Sequence, residues 1–168
     1  DEETAATAVR ASITGHLVLS TLHTNDAFSS VTRLFDMGVP SYLLQAAIRG
    51  IIAQRLLRKL CPHCKRPDKA TDWEQKYFGF SKSQLLYRAV GCKYCGNTGY
   101  FGRKGVFEVL GFNKELRELL AQDTTCAALQ TKAVQQGFVP FSEIIRCEIE
   151  KGITDTTEGL RVMSYGND

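Results

Sequence analysis

The residues with the most definite chemistry are Cys61, Cys64, Cys92 and Cys95. They form two Cys-x-x-Cys knuckles, Cys61-Pro62-His63-Cys64 and Cys92-Lys93-Tyr94-Cys95. Two intervening residues let each knuckle turn both its sulfurs toward one ion. Four thiolates fill the tetrahedral positions of Zn²⁺, which closes the site and makes it structural rather than catalytic. The 27 residues between the knuckles exceed the usual ~15–20 of a paired zinc motif. The competing readings are disulfides or inert buried thiols. His63 lies inside the first knuckle and reads as a solvated loop histidine, because four sulfurs already complete the site. Cys126 and Cys147 fall in helical patterns and read as small core hydrophobes.

A clip of this kind needs a fold large enough to bury a core. The 168 residues amount to about one domain, or one with a small insert. Hydrophobic content of 43% is ordinary for a globular protein. The formal charge of +3 falls to +1 once four thiolates and one Zn²⁺ are counted, which is not a nucleic-acid balance. Lys59, Lys65, Arg66 and Lys93 crowd the knuckles and are placed to offset the net negative charge of a tetrathiolate centre. Free thiols kept for metal point to a reducing compartment. No apolar run approaches the ~20 residues of a membrane span, and no signal peptide is present. The chain begins at Asp1, already in a helical pattern, and reads as a piece of a longer one.

Residues 2–13, rich in Ala and Thr, predict a helix that Gly15 ends. The run 16–23 is short, apolar and not alternating, which suits a parallel strand buried on both faces. Thr24-Asn25-Asp26 then supplies N-cap chemistry for a helix to Met37, stopped by Gly38. Helix–strand–helix is the grammar of an α/β domain, whose ligands gather at the carboxyl ends of strands. The polar cluster 21–25 occupies that end, where side chains and the following helix dipole are suited to sense a phosphate. Pro40 opens a long predicted helix over 41–59 that runs directly into Cys61, with Arg55, Arg58 and Lys59 loading its last turn. Capping boxes at Thr71-Asp72-Trp73-Glu74 and Ser81-Lys82-Ser83-Gln84 predict two short helices between the knuckles. Gly91 and Gly96 flank the second knuckle as turn residues. Glycines 96, 99, 102 and 105 predict a loop carrying Arg103 and Lys104, followed by a strand over 106–110. Four helices then start at Asn113, at Thr124 or Thr125, at Pro140 and at Asp155.

No G-x-x-x-x-G-K-[ST] loop occurs, so this chain does not cradle a triphosphate by itself. The histidines, 16, 23 and 63, support no Ser/His/Asp arrangement. His16 and His23 bracket the predicted strand: either both are satisfied strand-end residues, or His23 contacts a nucleotide phosphate. Arg10 and Arg103 are surface charges unless an anion lies beside them.

Several stretches resemble a known family. Asp1-Glu2-Glu3-Thr4-Ala5, followed by Thr14-Gly15-His16-Leu17-Val18-Leu19-Ser20-Thr21-Leu22-His23-Thr24-Asn25-Asp26-Ala27, is similar to the end of the Walker B motif and the histidine box of the secretion ATPases of type II secretion and type IV pilus assembly. Ala53-Gln54-Arg55-Leu56, the paired knuckles, the stretch from Thr98 through Gly102-Arg103-Lys104-Gly105 to Val109, and the tail Gly152-Ile153-Thr154 with Glu158-Gly159-Leu160-Arg161-Val162 resemble it too. The tetracysteine points to the assembly branch (GspE-like or PilB-like), because retraction ATPases of pili generally lack it.

The resemblance implies an α/β fold: the C-terminal part of a RecA-like P-loop ATPase domain with a Cys₄ zinc-binding insert and a C-terminal helical subdomain. Residues 1–60 would be the later part of the ATPase core, 61–101 the metal-binding subdomain, and 102–168 a strand plus the helical subdomain. It implies a parent enzyme that is a cytoplasmic homo-hexamer, using ATP and Mg²⁺ to drive pilus or pseudopilus assembly and protein export. Platform proteins would hold it at the inner membrane, and no direct nucleic-acid contact is implied. The Walker A loop and Walker B glutamate would precede Asp1, so this chain alone is expected to be inactive. His16, His23, Arg10 and Arg103 would be nucleotide-sensing residues, and Cys61, Cys64, Cys92 and Cys95 the zinc ligands. A rival reading is a zinc-ribbon-type interaction module that binds nucleic acid or protein, warranted by Lys65, Arg66, Lys69 and Lys93 with Trp73 and Tyr94.

Overall fold

The computed structural model describes residues 1–122 and 126–164. In chain order the helices and strands are α1 (Glu2–Ile13), α2 (Ala27–Asp36), α3 (Ser41–Ala47), β1 (Gly50–Leu60), β2 (Arg66–Lys69), α4 (Asp72–Phe78), β3 (Leu85–Arg88), β4 (Tyr100–Gly111), α5 (Lys114–Ala121), α6 (Cys126–Gln135), α7 (Phe141–Glu150) and α8 (Thr156–Ser164). Two sheets of two strands form, β1 with β4 and β2 with β3. The chain divides into two compact units. The first comprises Asp1–Ala53 and Glu108–Val139, the second Gln54–Phe107 and Pro140–Asp168, each over its described residues.

In the first unit, α3 packs against α1 and α5, and α6 against α2 and α5. The apolar faces of these helices supply the core, with Val31, Leu44, Leu116 and Leu129 almost fully buried. Caps set the boundaries as the sequence suggests. The Asp26 carboxylate accepts from Ser29 N at 2.8 Å to start α2, and Asn113 Oδ1 accepts from Leu116 N at 3.0 Å to start α5. Thr124 and Thr125, expected to start α6, lie outside the described residues.

Four expectations for the backbone are overturned, the last of them between the knuckles. The run 16–23 forms no strand; Leu17 and Leu19 are 86% and 87% exposed. A strand needs a neighbour to take its N–H and C=O groups, and among the described residues none pairs with this segment. The single helix over 41–59 is instead α3 followed by β1. Ile48 adopts an extended conformation (φ −70°, ψ 136°) and ends the helix. Beyond Gly50 the chain pairs with β4, burying Ala53, Leu57 and Leu60. The positions 51, 52, 55 and 56 fit a helical stripe; in the strand they divide between two faces, leaving Ile52 and Leu56 exposed, and long-range pairing overrides the helical pattern. The glycine-rich loop around Arg103 is likewise part of β4.

In the second unit, α7 packs on α8 and on β3. Ile145 and Ile149 are fully buried, and Arg55 lies over the Phe141 ring at 4.8 Å. Between the knuckles, Thr71 and Glu74 form the expected capping box of α4. The second box forms no helix. Gln84 N donates to Ser81 O in a turn, and the chain enters β3, which pairs antiparallel with β2 from Arg66↔Arg88 to Lys69↔Leu85.

Buried polar groups join these pieces. Glu74, 3% exposed, takes a bidentate pair from Arg88 and a 2.5 Å hydrogen bond from Thr156 Oγ1. Arg88 chiefly, opposed by burial, brings the Glu74 carboxyl down to about 2 from its ordinary 4.5. A depressed carboxyl contributes stability that is complete above its unfolded value and lost as pH falls toward its folded one. Between pH 4.5 and 2 the second unit should therefore lose up to about 3 kcal/mol through this group. Glu74→Gln should remove that share of the acid slope, as read from denaturant unfolding across pH; an unchanged slope would count against the assignment.

Candidate metal centre

The two knuckles converge in the second unit. Cys61 and Cys95 are buried, Cys64 and Cys92 half-buried, and the four sulfurs all lie within 4.8 Å of one another. The closest approaches are 3.9 Å for Cys61–Cys92, 3.9 Å for Cys64–Cys95 and 3.8 Å for Cys92–Cys95. A disulfide would require about 2.05 Å. A Zn–S length of about 2.3 Å gives tetrahedral edges of about 3.8 Å. The donor set therefore fits a tetrathiolate ion and excludes disulfide pairing in this arrangement. No position is left open for water or substrate, so such an ion would serve structure.

Local backbone makes this possible. Cys64 N and Lys65 N donate to Cys61 O, folding the first knuckle. The second knuckle is a 3₁₀ turn over Lys93–Cys95 between Gly91 (φ 105°) and Gly96 (φ 59°). Gly99 links the two: its N–H donates to Cys95 Sγ at 3.2 Å and its carbonyl accepts from Cys61 N at 2.9 Å. At φ +79° its missing side chain would meet Ala89 Cβ at 2.6 Å, so only glycine fits. Burial pushes the Cys64 thiol up to about 11. Burial opposes ionisation at Cys95 too, but the N–H groups of Cys92 and Gly99 overcome it and bring that thiol down to about 6. Metal binding takes thiolates, so protons are released as an ion enters.

His63 is exposed and stacks on Tyr94, ring centroids 4.2 Å apart, rather than joining the sulfurs. Lys65 does not face solvent freely: its ammonium donates to Gly152 O at 2.8 Å and lies 4.5 Å from the Tyr87 ring centroid. Trp73 stacks on Tyr77 and meets Phe78 edge-on. Cys126 and Cys147 are half-buried rather than core residues, and Cys126 Sγ lies 3.0 Å from Thr32 Oγ1.

The other predicted site residues are not gathered with the cysteines. Arg10, His16 and His23 are exposed in the first unit, with His16 Nδ1 3.2 Å from Thr14 Oγ1; Arg103 is exposed on β4 in the second. The N-terminus of α2 is already occupied by carboxylates: Ala27 N donates to buried Glu108 at 3.0 Å, and Ser29 N to Asp26. Sequence reasoning missed the role of Glu108; Asp155 caps the last helix as expected, through Glu158 N at 2.9 Å, but it also accepts from Tyr100 Oη at 2.8 Å, which the sequence did not indicate. The signal for Asp155 was present in the polar run Thr154-Asp155-Thr156-Thr157-Glu158 after an apolar helix. Two of its partners, Tyr100 and Ala89, lie 55 and 66 residues away and have no local signature.

A family model described as type II/IV secretion system protein matches residues 1–161. The chain is 42% identical to the type IV pilus assembly ATPase TfpB of Acinetobacter baylyi over 97% of its own length and 28% of that protein's. It is 42% identical to the type II secretion system ATPase E of Vibrio cholerae, over 96% of this chain and 32% of that one. It thus spans about a third of the length of the curated relatives it matches. Among solved structures, the pilus retraction motor PilT with bound ADP shares the fold, with a TM-score of 0.62 at 24% identity over 96% of this chain and 36% of that one. On the extent of the family match and these identities, the chain belongs to the type II/IV secretion system protein family.

Proposed function

We propose that this chain is the later part of a hexameric ATPase that couples ATP hydrolysis to pseudopilus or pilus assembly and protein export. The observation that carries this is its identity, along nearly its whole length, with a pilus assembly ATPase and a type II secretion ATPase. In this reading, residues 1–60 are the later part of a RecA-like core, 61–101 a subdomain built on a structural Zn²⁺ held by Cys61, Cys64, Cys92 and Cys95, and 102–168 a strand with a helical subdomain. ATP and Mg²⁺ bind the longer protein, which works in the cytoplasm against inner-membrane platform proteins. The exposed run 16–23 gains sheet partners from the remainder of the core, which covers Leu17 and Leu19. That would fix His16 and His23 beside the nucleotide. The imidazole of His23 supplies a donor to the γ-phosphate, and Arg10 and Arg103 supply positive charge near the nucleotide.

The nucleic-acid alternative rests partly on Lys65 and Trp73, and both are engaged within the second unit. A labelled oligonucleotide should give a flat titration with the protein at low salt; a salt-dependent shift would favour the alternative instead.

Native mass spectrometry should find one zinc per chain, lost in Cys61→Ser and in Cys95→Ser; full retention in either variant would refute the four-sulfur assignment. This chain alone should show no ATP turnover, because it holds no phosphate-cradling loop. In the full-length ATPase, His23→Ala should lower kcat at least about tenfold with zinc retained. Unchanged turnover would remove His23 from the nucleotide site.

A further inference from the structure

Each knuckle has two flanks, and all four are fastened to one short turn between α7 and α8. On one side of the first knuckle, Leu60 N donates to Ile153 O at 2.8 Å. On its other side, Lys65 Nζ donates to Gly152 O at 2.8 Å. Ahead of the second knuckle, Ala89 N donates to Asp155 Oδ2 at 3.3 Å. Beyond it, Tyr100 Oη donates to Asp155 at 2.8 and 3.0 Å. Thr154, between these contacts and fully buried, donates its hydroxyl to Arg58 O at 2.9 Å. The turn itself is braced. Asp155, 4% exposed, also caps α8 through Glu158 N at 2.9 Å. Gly152 holds φ +65° with the Tyr87 ring filling the space where a side chain would be, 2.4 Å from an ideal Cβ.

These contacts address what the knuckles cannot do alone. A two-residue spacing fixes the sulfurs within each pair. It does nothing to bring together two pairs that are 27 residues apart in sequence. The segment between them is mainly a small helix and a two-stranded antiparallel sheet, and a lone pair of strands is marginally stable in water. An ion that had to order both pairs would lose binding free energy to conformational entropy. A turn that fixes both ends of both pairs removes most of that loss.

We propose that the turn at residues 152–155 is the positioning element of the metal centre, with Asp155 as its principal residue, and that retention of the ion depends on it. This rests on the reading that the four cysteines hold zinc. Neither Asp155 nor Lys65 touches the ion; each acts through the backbone beside a ligand. The carboxylate of Asp155 joins Ala89 to Tyr100, and so closes the loop that carries Cys92 and Cys95. Lys65, directly after Cys64, ties the first knuckle to the same turn.

The test is the rate at which the zinc-loaded protein releases its ion to a chromophoric chelator, under conditions where circular dichroism shows every variant still folded. Asp155→Ala should release zinc about ten- to a hundredfold faster than wild type, the usual effect of losing a group that orients a metal ligand. Asp155→Asn, which keeps one acceptor oxygen, should fall between. Tyr100→Phe and Lys65→Met each remove one contact with little loss of volume and should each accelerate release several-fold. They decide the matter if Asp155→Ala does not fold. Arg146→Met breaks the 2.9 Å hydrogen bond to Phe78 O, away from the turn in the same unit, and should lower stability without changing the release rate. Wild-type release from folded Asp155→Ala, or from both Tyr100→Phe and Lys65→Met, would overturn the inference while leaving the zinc reading intact. Release accelerated equally by Arg146→Met would also overturn it, by making the effect one of general stability. A wild-type protein that binds no zinc would overturn both.

Discussion

The second unit depends on carboxylates that are buried yet fully satisfied. Glu158 is inaccessible to solvent, and an ionised carboxylate there would be prohibitive without partners. It accepts from Arg58 N at 2.9 Å, Arg58 Nε at 2.7 Å and Arg161 Nε at 2.7 Å. Although burial opposes it, these donors hold the carboxyl below its ordinary range. Arg58 in turn lies 4.1 Å over the ring of Tyr100. One acid thus joins β1, β4 and α8, the two strands being those that lead into the first knuckle and out of the second. Removing one partner of such a pair costs far more than the pair contributes net, because the remaining charge stays buried. The arrangement therefore specifies geometry more than it adds stability.

Specification is what a tetrathiolate site needs from its surroundings. Metal ligands tolerate about 0.2 Å of error in bond length, and an apolar core alone fixes side chains by shape without direction. Hydrogen bonds to Gly152, Ile153 and Asp155 have direction, and they act on the backbone on either side of the cysteines. The same logic explains why Glu74 and Arg88 join α4 and β3 to Thr156. All four residues of β2 are exposed, and the apolar anchoring of this segment comes from Leu86 in β3 with Phe78 and Phe80. Directional polar contacts supplement that small core.

How much of this was legible in the sequence follows from the range of each interaction. The cysteines were legible because ligand type, count and spacing state their own chemistry. The helix starts at Asp26, Thr71 and Asn113 were legible because a cap is made by a residue three positions away. The strand β1 was not, since its apolar positions fit the helical period and the pairing that overrides it comes from β4, some fifty residues later. The strand β2 gave almost no signal, because Arg66-Pro67-Asp68-Lys69 has neither alternation nor β-branched residues. Ser81-Lys82-Ser83-Gln84 carried a capping box without the apolar stripe a helix would need behind it.

The same distinction of range separates the two candidate functions of the chain. The metal centre is complete within one unit: ligands, the donors to their sulfurs and the framing turn all lie between Gln54 and Phe107 or beyond Pro140. Its chemistry can be argued from distances alone. The nucleotide-sensing residues are different in kind. His16 and His23 are exposed on a segment whose backbone has no strand partner among the described residues, Arg10 is exposed in α1, and the first turn of α2 is satisfied by Asp26 and Glu108. An anion approaching that helix end would meet two carboxylates, so the helix dipole is not what would recruit it. If a phosphate is bound there, the positive charge must come from side chains such as Arg10 or from groups outside this chain.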